Sequence, residues 1–289
     1  MAVTKQNALV TGGGSGIGEA ICRELARRDW CVAVTDVNVE AGAQVAAEIQ
    51  KSGGDAFFLP LNVTSQEEWE SVCEQLQAKW PQIDMVVNNA GVCAGGELDA
   101  VDVATWDWIY NINLRGAMLG CKTFIPWLKR NPRQSYIMNI ASIAGLVFAP
   151  RMAPYNATKA ALVALSETLK VELLPHKVSV TVVCPWFVPT NLAATGRFAQ
   201  ESEQQYAVSQ MKNSWVTPEL VARRAVSSTL WRQAICLIGL RARSLMFVYR
   251  MCPWLIRWLI GTWTKSIFKE SCAEPAIARH AGGAATVDQ

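Results

Sequence analysis

Short runs of apolar residues alternate along the chain with longer segments in which apolar positions recur at helical spacing. This alternation is typical of βαβ units that build a parallel sheet. The short runs are almost continuously apolar, as expected of strands that helices cover on both faces. They predict seven strands, at residues 8–11, 31–36, 56–61, 85–88, 135–141, 178–184 and 234–239. The longer segments predict helices at residues 16–28, 40–52, 66–80, 103–129, 154–174 and 218–231.

Three segments depart from this alternation. Residues 186–216 have no strong periodicity and a polar middle, which indicates a long excursion, or lid, beside a site. Residues 241–272 are apolar and basic and predict an appended helical extension, whereas residues 273–289 are small and polar and predict a flexible tail. We therefore expect an α/β fold, with a doubly wound, parallel seven-stranded sheet over residues 1–240 and a C-terminal helical segment after it.

The composition is that of a folded protein with reduced cysteines. Of 289 residues, 51% are hydrophobic and 18% are charged, which excludes an intrinsically disordered chain. The nine cysteines include no C-x-x-C pair and only two histidines are present, so neither a disulfide framework nor a metal site is expected. Reduced cysteines favour the cytoplasm. The N-terminus lacks the pattern of a secretory signal, and no apolar stretch has the length of a membrane-spanning helix.

A glycine-rich turn joins the first predicted strand to the first helix. Backbone N–H groups at such a turn can approach a pyrophosphate, and the candidate cofactor-binding residues here are Gly12, Ser15, Gly16, Ile17 and Gly18. The second strand ends at Asp36, whose carboxylate can accept hydrogen bonds from both hydroxyls of an adenosine ribose and would repel a 2′-phosphate. This pattern favours NAD over NADP. A tight turn without a ligand and a solvated strand-end acid are the alternative interpretations.

The sequence resembles the short-chain dehydrogenases/reductases (SDRs) at these residues. Their T-G-x-x-x-G-x-G motif matches Thr11, Gly12, Gly16 and Gly18, and the resemblance extends over about residues 5–190. The family's N-N-A-G segment corresponds to residues 88–91, and residues 62–63 stand where the family usually has Asp-Val near the adenine. The resemblance implies a Rossmann fold. It also implies cofactor contacts from Asn62, Val63, Asn89, Ala90 and Gly91.

A tyrosine and a lysine, Tyr155 and Lys159, are four positions apart at the start of a predicted helix, so both side chains project from one face. A tyrosine has an ordinary pKa of about 10 and acts as a base at neutral pH only when a cation stabilises its phenolate. Lys159, together with the positive nicotinamide of an oxidised cofactor, can provide that charge. The resemblance implies that Ser142 hydrogen-bonds the reacting oxygen and that Asn113 holds a water connecting Lys159 to solvent.

The segment after the sixth strand also resembles the family, with one departure. The resemblance implies that Pro185, Val188 and Thr190 lie against the nicotinamide, but Trp186 replaces a glycine that the family usually has. The indole ring either narrows an apolar pocket near the nicotinamide or packs under the lid. The candidate substrate contacts are Ser142, Ala144, Met152 and Trp186.

These residues predict an NAD-dependent oxidoreductase that interconverts a secondary alcohol and a ketone. Trp186 and the apolar C-terminus favour a lipophilic substrate, such as a steroid, a retinoid or a fatty hydroxy compound. The alternatives are an NADPH-dependent 3-oxoacyl thioester reductase and a scaffold that binds NAD without turnover. The resemblance further implies a homodimer or homotetramer.

The net charge of +3 combines two opposite parts of the chain. Residues 223–269 contain nine basic and no acidic residues, which leaves 18 basic against 24 acidic residues elsewhere. Aliphatic and tryptophan side chains separate the basic ones, a pattern typical of a helix on an anionic membrane surface. We expect peripheral membrane contact through residues 241–269. A helical pair against a partner subunit or the lid is the alternative, and nucleic acid is not expected, because bulky aliphatics alternate with the basic residues.

Overall fold

The strands of the protein form a twisted α/β sheet, described by a computed structural model over residues 5–267. In this range the strands are β1 Asn7–Thr11, β2 Cys31–Asp36, β3 Asp55–Pro60, β4 Met85–Asn88, β5 Ala94–Gly95, β6 Ser135–Ile140, β7 Val178–Pro185, β8 Arg197–Phe198 and β9 Ile235–Ile238. The helices are α1 Gly16–Arg27, α2 Val39–Lys51, α3 Gln66–Lys79, α4 Val103–Tyr110, α5 Ala117–Arg130, α6 Ala153–Glu172, α7 Glu201–Lys212, α8 Pro218–Leu230, α9 Leu240–Met251 and α10 Pro253–Ile267.

Within the described residues, seven of the strands pair in parallel in the order β3-β2-β1-β4-β6-β7-β9. This arrangement confirms the predicted doubly wound sheet and its seven strands. The order reverses between β1 and β4, and ligands of open α/β sheets bind beside such a reversal, at the carboxyl ends of the strands. The carboxyl ends of β1, β2, β4 and β6 therefore surround the expected cofactor site.

Apolar side chains on both faces of the sheet explain why its strands are so uniformly hydrophobic. Ala8 and Val10 of β1 face a core formed with α1 and α8, whereas Leu9 between them faces a second core formed with α3 and α5. The first core includes Ile21 and Val221. Since successive strand residues point to opposite faces, a strand buried on both sides needs an apolar residue at every position.

Side-chain caps define where several helices begin. Asn38, Ser65, Asp102 and Thr217 each accept a hydrogen bond from the backbone N–H three residues further on. Such caps satisfy N–H groups that have no partner inside the helix. The predicted helices at 40–52 and 66–80 thus start and end within one residue of the observed α2 and α3.

The long helix predicted at 103–129 is interrupted. Residues Asn111–Gly116 form a π-helical turn between α4 and α5, and the pattern of apolar residues does not reveal it. π turns are short, rare and frequent at functional sites. This one contains Asn113, one of the predicted catalytic residues.

The segment 186–216, predicted to be a long excursion or lid and called the lid below, contains secondary structure. It contains β8, which pairs in parallel with β5 in a small second sheet, and the helix α7. Neither was predicted, because two-residue strands have no detectable period and α7 is polar on most of its surface.

The chain divides into two compact units, Met1–Met246 and Phe247–Gln289. The division falls inside α9, a few residues after the predicted boundary at 240. The helices α9 and α10 agree with the expected helical extension, whereas the predicted tail at 273–289 lies outside the described residues. Between residues 5 and 267, every helix is too short or too polar to cross a bilayer.

Candidate active site

The glycine-rich turn between β1 and α1 is held tightly closed. Gly12 and Gly16 have φ values of 62° and 55°, a region that favours glycine. The Asn89 side-chain amide donates to the carbonyl oxygens of Thr11 and Gly12, at 2.9 and 3.1 Å. A Cβ atom on Gly18 would lie 2.0 Å from the Gly12 oxygen, so this position also requires glycine.

The start of α1 fits a pyrophosphate. Within the described residues, Ser15 precedes the helix without a side-chain hydrogen bond to its first turn, unlike the capped helices α2 and α3. Ile17 lies in this turn and packs against the first core. Backbone N–H groups at an uncapped helix N-terminus are suited to bind an anion. The residues present here therefore fit the phosphates of a dinucleotide.

The Asp36 carboxylate is fixed beside this turn. Its Oδ2 accepts a hydrogen bond from the Gly14 N–H and its Oδ1 accepts one from the Asn38 N–H, both at 2.9 Å. A carboxylate oxygen has a second lone pair, so both oxygens retain the capacity to accept from a ribose hydroxyl. Asp36 thus lies where the adenosine ribose is expected.

The predicted adenine contacts lie in the neighbouring loop. The Asn62 Oδ1 accepts from both the N–H and the hydroxyl of Thr64, at 3.0 and 2.8 Å, and Val63 is buried. Both lone pairs of that oxygen therefore have partners inside the loop. The expected contact of Asn62 and Val63 with the cofactor near its adenine remains a prediction.

The N-N-A-G segment connects the glycine-rich turn to the predicted catalytic residues. The N–H groups of Asn89 and Ala90 both donate to the Thr11 hydroxyl, at 3.0 Å. A Cβ atom on Gly91 would lie 3.4 Å from the Lys159 Nζ and 3.2 Å from the Asn113 Oδ1. This close approach explains why a residue without a side chain lies between the two sites.

Tyr155, Lys159 and Ser142 meet at the carboxyl end of β6. Tyr155 and Lys159 project from the first two turns of α6 and are 8% and 4% exposed. The Lys159 Nζ donates to the Ile140 carbonyl oxygen at 2.9 Å and lies 5.7 Å from the centre of the Tyr155 ring. The Ser142 side chain lies close enough to Tyr155 to lower the pKa of its hydroxyl group. The predicted catalytic groups are therefore brought together.

Burial dominates the ionisation of this pair. It raises the pKa of Tyr155 above its ordinary value, and the neighbouring Ser142 side chain only partly opposes that effect. Burial also lowers the pKa of Lys159 to about 8. The ammonium form of Lys159 still predominates at neutral pH, so a positive charge is available beside the Tyr155 ring.

Asn113 lies in the π turn and is 1% exposed. Its Oδ1 accepts from the Val92 N–H at 2.7 Å, while its Nδ2 donates to the Val92 carbonyl oxygen at 2.9 Å and to the Thr158 hydroxyl at 3.4 Å. The side chain thus joins the segment after N-N-A-G to α6, directly beside Lys159. The expected water between Lys159 and solvent remains a prediction.

An apolar cluster surrounds the Tyr155 ring. This Tyr155 cluster consists of Cys93, Ala94, Ile109 and Tyr155, with Val92, Trp108, Ala144, Met152, Leu192 and Phe198 packed against it. Ala144 and Met152 were predicted as substrate contacts. Leu192 and Phe198 come from the lid, and Trp108 precedes the π turn; the sequence pattern alone does not reveal these three.

Trp186 lies outside the Tyr155 cluster. Its ring packs against the core formed with α1 and α8, together with Val188, and meets the Phe187 ring edge-on at 5.5 Å between ring centres. Phe187 in turn packs against a small cluster that includes Met211 of the lid helix α7. This placement agrees with the second interpretation of Trp186, in which the indole supports the lid from below.

The other residues predicted near the nicotinamide follow β7. Pro185 is the last residue of that strand. The Thr190 Cγ2 lies 3.0 Å from the position that a Cβ atom on Gly16 would take. The start of the lid therefore lies directly against the glycine-rich turn.

An ion-pair network that the sequence did not predict joins the loop before Tyr155 to α7. Arg151 has a φ of 59° and its carbonyl oxygen accepts from the Gly96 N–H at 2.7 Å. Its guanidinium pairs with Glu97 and, at 3.1 Å, with Glu203 of α7. The partners are distant in sequence, so no local pattern signals the network.

Comparison with known proteins agrees with this geometry. The family model for short chain dehydrogenases matches residues 6–201. A cyclopentanol dehydrogenase of Comamonas sp. is 36% identical over 190 residues, which cover 66% of this chain and 76% of that enzyme. A 3-oxoacyl-(acyl-carrier-protein) reductase of Synechocystis sp. is 33% identical over 192 residues, or 66% of this chain and 77% of that protein.

A solved structure extends the agreement to the fold. The crystal structure of an SDR from Burkholderia phymatum in complex with NAD matches with a TM-score of 0.82 at 24% identity, covering 88% of this chain and 96% of that chain. Together with the catalytic geometry, the match over residues 6–201 shows what kind of enzyme this is. The chain belongs to the short-chain dehydrogenase/reductase family, whose members are oxidoreductases that act on CH–OH groups with NAD or NADP.

Proposed function

We propose that the protein interconverts a lipophilic secondary alcohol and its ketone, with NAD rather than NADP as the hydride carrier. The observation that carries this proposal is that the Ser142 side chain comes close to Tyr155, whose ring lies in an apolar cluster. Apolar walls with a few converging polar groups are typical of small-molecule sites. Such a site favours a substrate whose only polar group is its reacting oxygen.

The residues divide the chemistry between them. Tyr155 accepts the hydroxyl proton of the alcohol as the hydride leaves the carbinol carbon, and Ser142 donates a hydrogen bond to the developing carbonyl oxygen. NAD⁺, when bound, supplies the hydride acceptor. The Lys159 ammonium favours the phenolate of Tyr155. In the reverse direction Tyr155 returns the proton to the alkoxide oxygen.

The preference for NAD rests on Asp36. Two backbone N–H groups fix its carboxylate at the end of β2, where it would repel a 2′-phosphate. Ser15 and Val37 supply no positive charge to compensate. Isothermal titration of NAD and NADP against the wild type and Asp36→Ser tests this point, with Asp99→Ser as the control for an exposed acid. Equal affinities of the wild-type protein for both nucleotides would contradict the assignment.

A lipophilic alcohol is favoured over the alternative substrates. The similarity to a cyclopentanol dehydrogenase supports a substrate of this class, as does the apolar character of the Tyr155 cluster. The second candidate is a 3-oxoacyl thioester reductase that uses NADPH. The similarity to a 3-oxoacyl-(acyl-carrier-protein) reductase supports it, but the Asp36 carboxylate would repel the 2′-phosphate of NADPH. A scaffold without turnover would have no use for the joined Ser142, Tyr155 and Lys159.

A substrate panel tests the proposed activity. Cyclic secondary alcohols, sterols, retinoids, long-chain hydroxy compounds and a 3-oxoacyl thioester are each assayed with both nucleotides by absorbance of the reduced cofactor. We expect turnover of apolar alcohols with NAD and loss of at least about 100-fold in Tyr155→Phe, because general acid–base catalysis contributes that much. Tyr110→Phe is the matched control, since Tyr110 is half exposed and lies outside the site. Faster turnover of the thioester with NADPH would favour the alternative.

We also propose a homodimer or homotetramer in the cytoplasm. Val103 of α4 is an exposed apolar residue that supports self-association, and the buried cysteines from Cys22 to Cys236 support a reducing compartment. Sedimentation velocity of the wild type and of Val103→Glu tests the oligomer. A monomeric wild type would contradict it.

A further inference from the structure

The last two described helices expose large apolar side chains. Phe247 and Met251 of α9 are 67% and 66% exposed, and Trp254 and Trp258 of α10 are 70% and 62% exposed. Leu259 is also exposed. Single exposed apolar residues are ordinary, but five within thirteen residues form a patch that calls for a partner.

These side chains lie on regular helical faces. Phe247 and Met251 are four residues apart on α9, and Trp254 and Trp258 are four residues apart on α10, so each pair projects from one side of its helix. Cys252 alone separates the two helices. Each helix therefore presents a pair of large apolar side chains on one side.

Exposed arginines accompany the apolar residues. Arg241 and Arg250 are exposed on α9, and the sequence from 223 to 269 has no acidic residue that could neutralise them. The rest of the chain carries more acidic than basic residues. The segment from 240 to 267, named here the basic helical segment, therefore combines five basic and no acidic residues with exposed aromatic rings.

The length of the helices determines how they can meet a lipid bilayer. Spanning requires about 20 consecutive apolar residues in a helix, whereas α10 has 15 residues and α9 has 12. Helices that cannot span the bilayer but carry basic and aromatic side chains can lie in the plane of the interface. Tryptophan favours the boundary between headgroups and hydrocarbon, and arginine favours anionic headgroups.

We propose that the basic helical segment attaches the protein to the surface of anionic lipid bilayers. Charge complementarity selects this partner: an anionic headgroup layer over hydrocarbon satisfies the arginines and the apolar side chains together. A nucleic acid would leave Phe247, Met251 and the tryptophans without an apolar environment. This inference is independent of the proposed reaction, since none of these residues belongs to the Tyr155 cluster.

Flotation of the full-length protein with vesicles tests the attachment. Vesicles of phosphatidylcholine with about 30% phosphatidylglycerol are compared with pure phosphatidylcholine, at about 0.1 M and about 0.5 M salt. We expect the protein to float with the anionic vesicles at low salt and to be released at high salt. Each arginine near the surface should contribute about fivefold in partition coefficient, so Arg241→Gln/Arg250→Gln should weaken binding by about 25-fold.

Matched variants distinguish a contact made by the basic helical segment from one made by another part of the surface. Trp254→Ser/Trp258→Ser removes the exposed rings of α10 and should abolish flotation. Trp231→Ser removes an 80% exposed ring outside the basic helical segment and should leave flotation unchanged. Lys129→Gln/Arg130→Gln, on exposed residues of α5, is the control for charge. Quenching of tryptophan fluorescence by brominated lipid should decrease in the Trp254→Ser/Trp258→Ser protein alone.

Three results would overturn the proposal. Equal flotation of the wild type and Trp254→Ser/Trp258→Ser would place the contact elsewhere. Absence of wild-type flotation with anionic vesicles would exclude the attachment. A change of oligomeric state in Trp254→Ser/Trp258→Ser, measured by sedimentation velocity, with no wild-type flotation would show that the patch is an interface between copies of the chain.

Discussion

The guanidinium of Arg151 lies 3.1 Å from the carboxylate of Glu203, and both side chains are buried. This pair joins the loop before Tyr155 to the lid helix α7. Burial is the largest influence on the pKa of Glu203 and raises it above the ordinary value of 4.5, while the charge of Arg151 opposes the rise. We therefore expect the contribution of this pair to stability to depend on pH.

We expect Arg151→Met to destabilise the protein more at neutral than at acidic pH. The folded form holds the Glu203 proton more tightly than the unfolded chain, so the free energy of unfolding falls as pH rises from 4.5 through the raised pKa. Removing Arg151 raises this pKa further and should cost about 3 kcal/mol at pH 7, because a buried carboxylate loses its partner. Urea denaturation at pH 4.5 and pH 7 measures both values.

Two variants control this experiment. Arg151→Met/Glu203→Gln removes the buried charge and should recover most of the loss at pH 7, whereas Glu201→Gln, on the exposed side of α7, should change little. A loss in Arg151→Met that is the same at both pH values would show that packing, and not charge, accounts for it.

The Lys159 ammonium should oppose folding at neutral pH. Burial lowers its pKa to about 8 from 10.5, so between these values the unfolded chain binds more protons than the folded one. The free energy of unfolding should therefore rise as pH increases from 8 toward 10.5. Lys159→Met should lack this rise, and denaturation of both proteins without nucleotide at two pH values in that window measures the difference. Lys122→Met, at an exposed position of α5, should keep the wild-type slope.

Phe198 should limit the size of the substrate. It comes from β8 of the lid and packs against the cluster around Tyr155. Phe198→Ala should raise the kcat/KM of bulky ketones relative to small ones by about tenfold. In an apolar pocket, space for one or two more methylene groups changes the ratio of kcat/KM values between substrates by about that factor. Phe148→Ala removes a half-exposed ring outside the cluster and is the control. An unchanged ratio in Phe198→Ala would place the substrate against another wall.

Trp186 should contribute more to stability than to substrate choice. Its ring packs against the core and Phe187, so Trp186→Ala should lower the free energy of unfolding by about 3 kcal/mol. Trp215→Ala, at a ring that is 91% exposed, should cost less than about 0.5 kcal/mol. Thermal or urea denaturation measures both. If Trp186→Ala kept wild-type stability but altered substrate preference, the indole would instead line the substrate pocket.

The sheet could be predicted from the sequence because its signals are local. Strands buried on both faces must be apolar throughout, and caps such as Ser65 fix helix starts by contacts three residues away. The glycine-rich turn and the Tyr155–Lys159 spacing are local in the same sense. Their convergence with Ser142 follows from parallel strands ending at one edge of the sheet.

The features that escaped prediction depend on distant partners. The two residues of β8 pair with β5 about a hundred positions earlier, and a strand that short has no period of its own. Arg151 meets acidic partners 54 and 52 positions away. The sequence alone allowed Trp186 either to narrow a pocket near the nicotinamide or to pack under the lid, and the choice depends on the residues that pack around its ring.

The π turn at Asn111–Gly116 makes the length of this helical region intolerant of change. Each residue of a helix advances its direction by about 100°, so deleting one residue from the turn would rotate all of α5 relative to α4. Phe124 and Leu128, both fully buried, would then turn away from the sheet. Natural variation in chain length is therefore expected on either side of residues 103–130 but not within them.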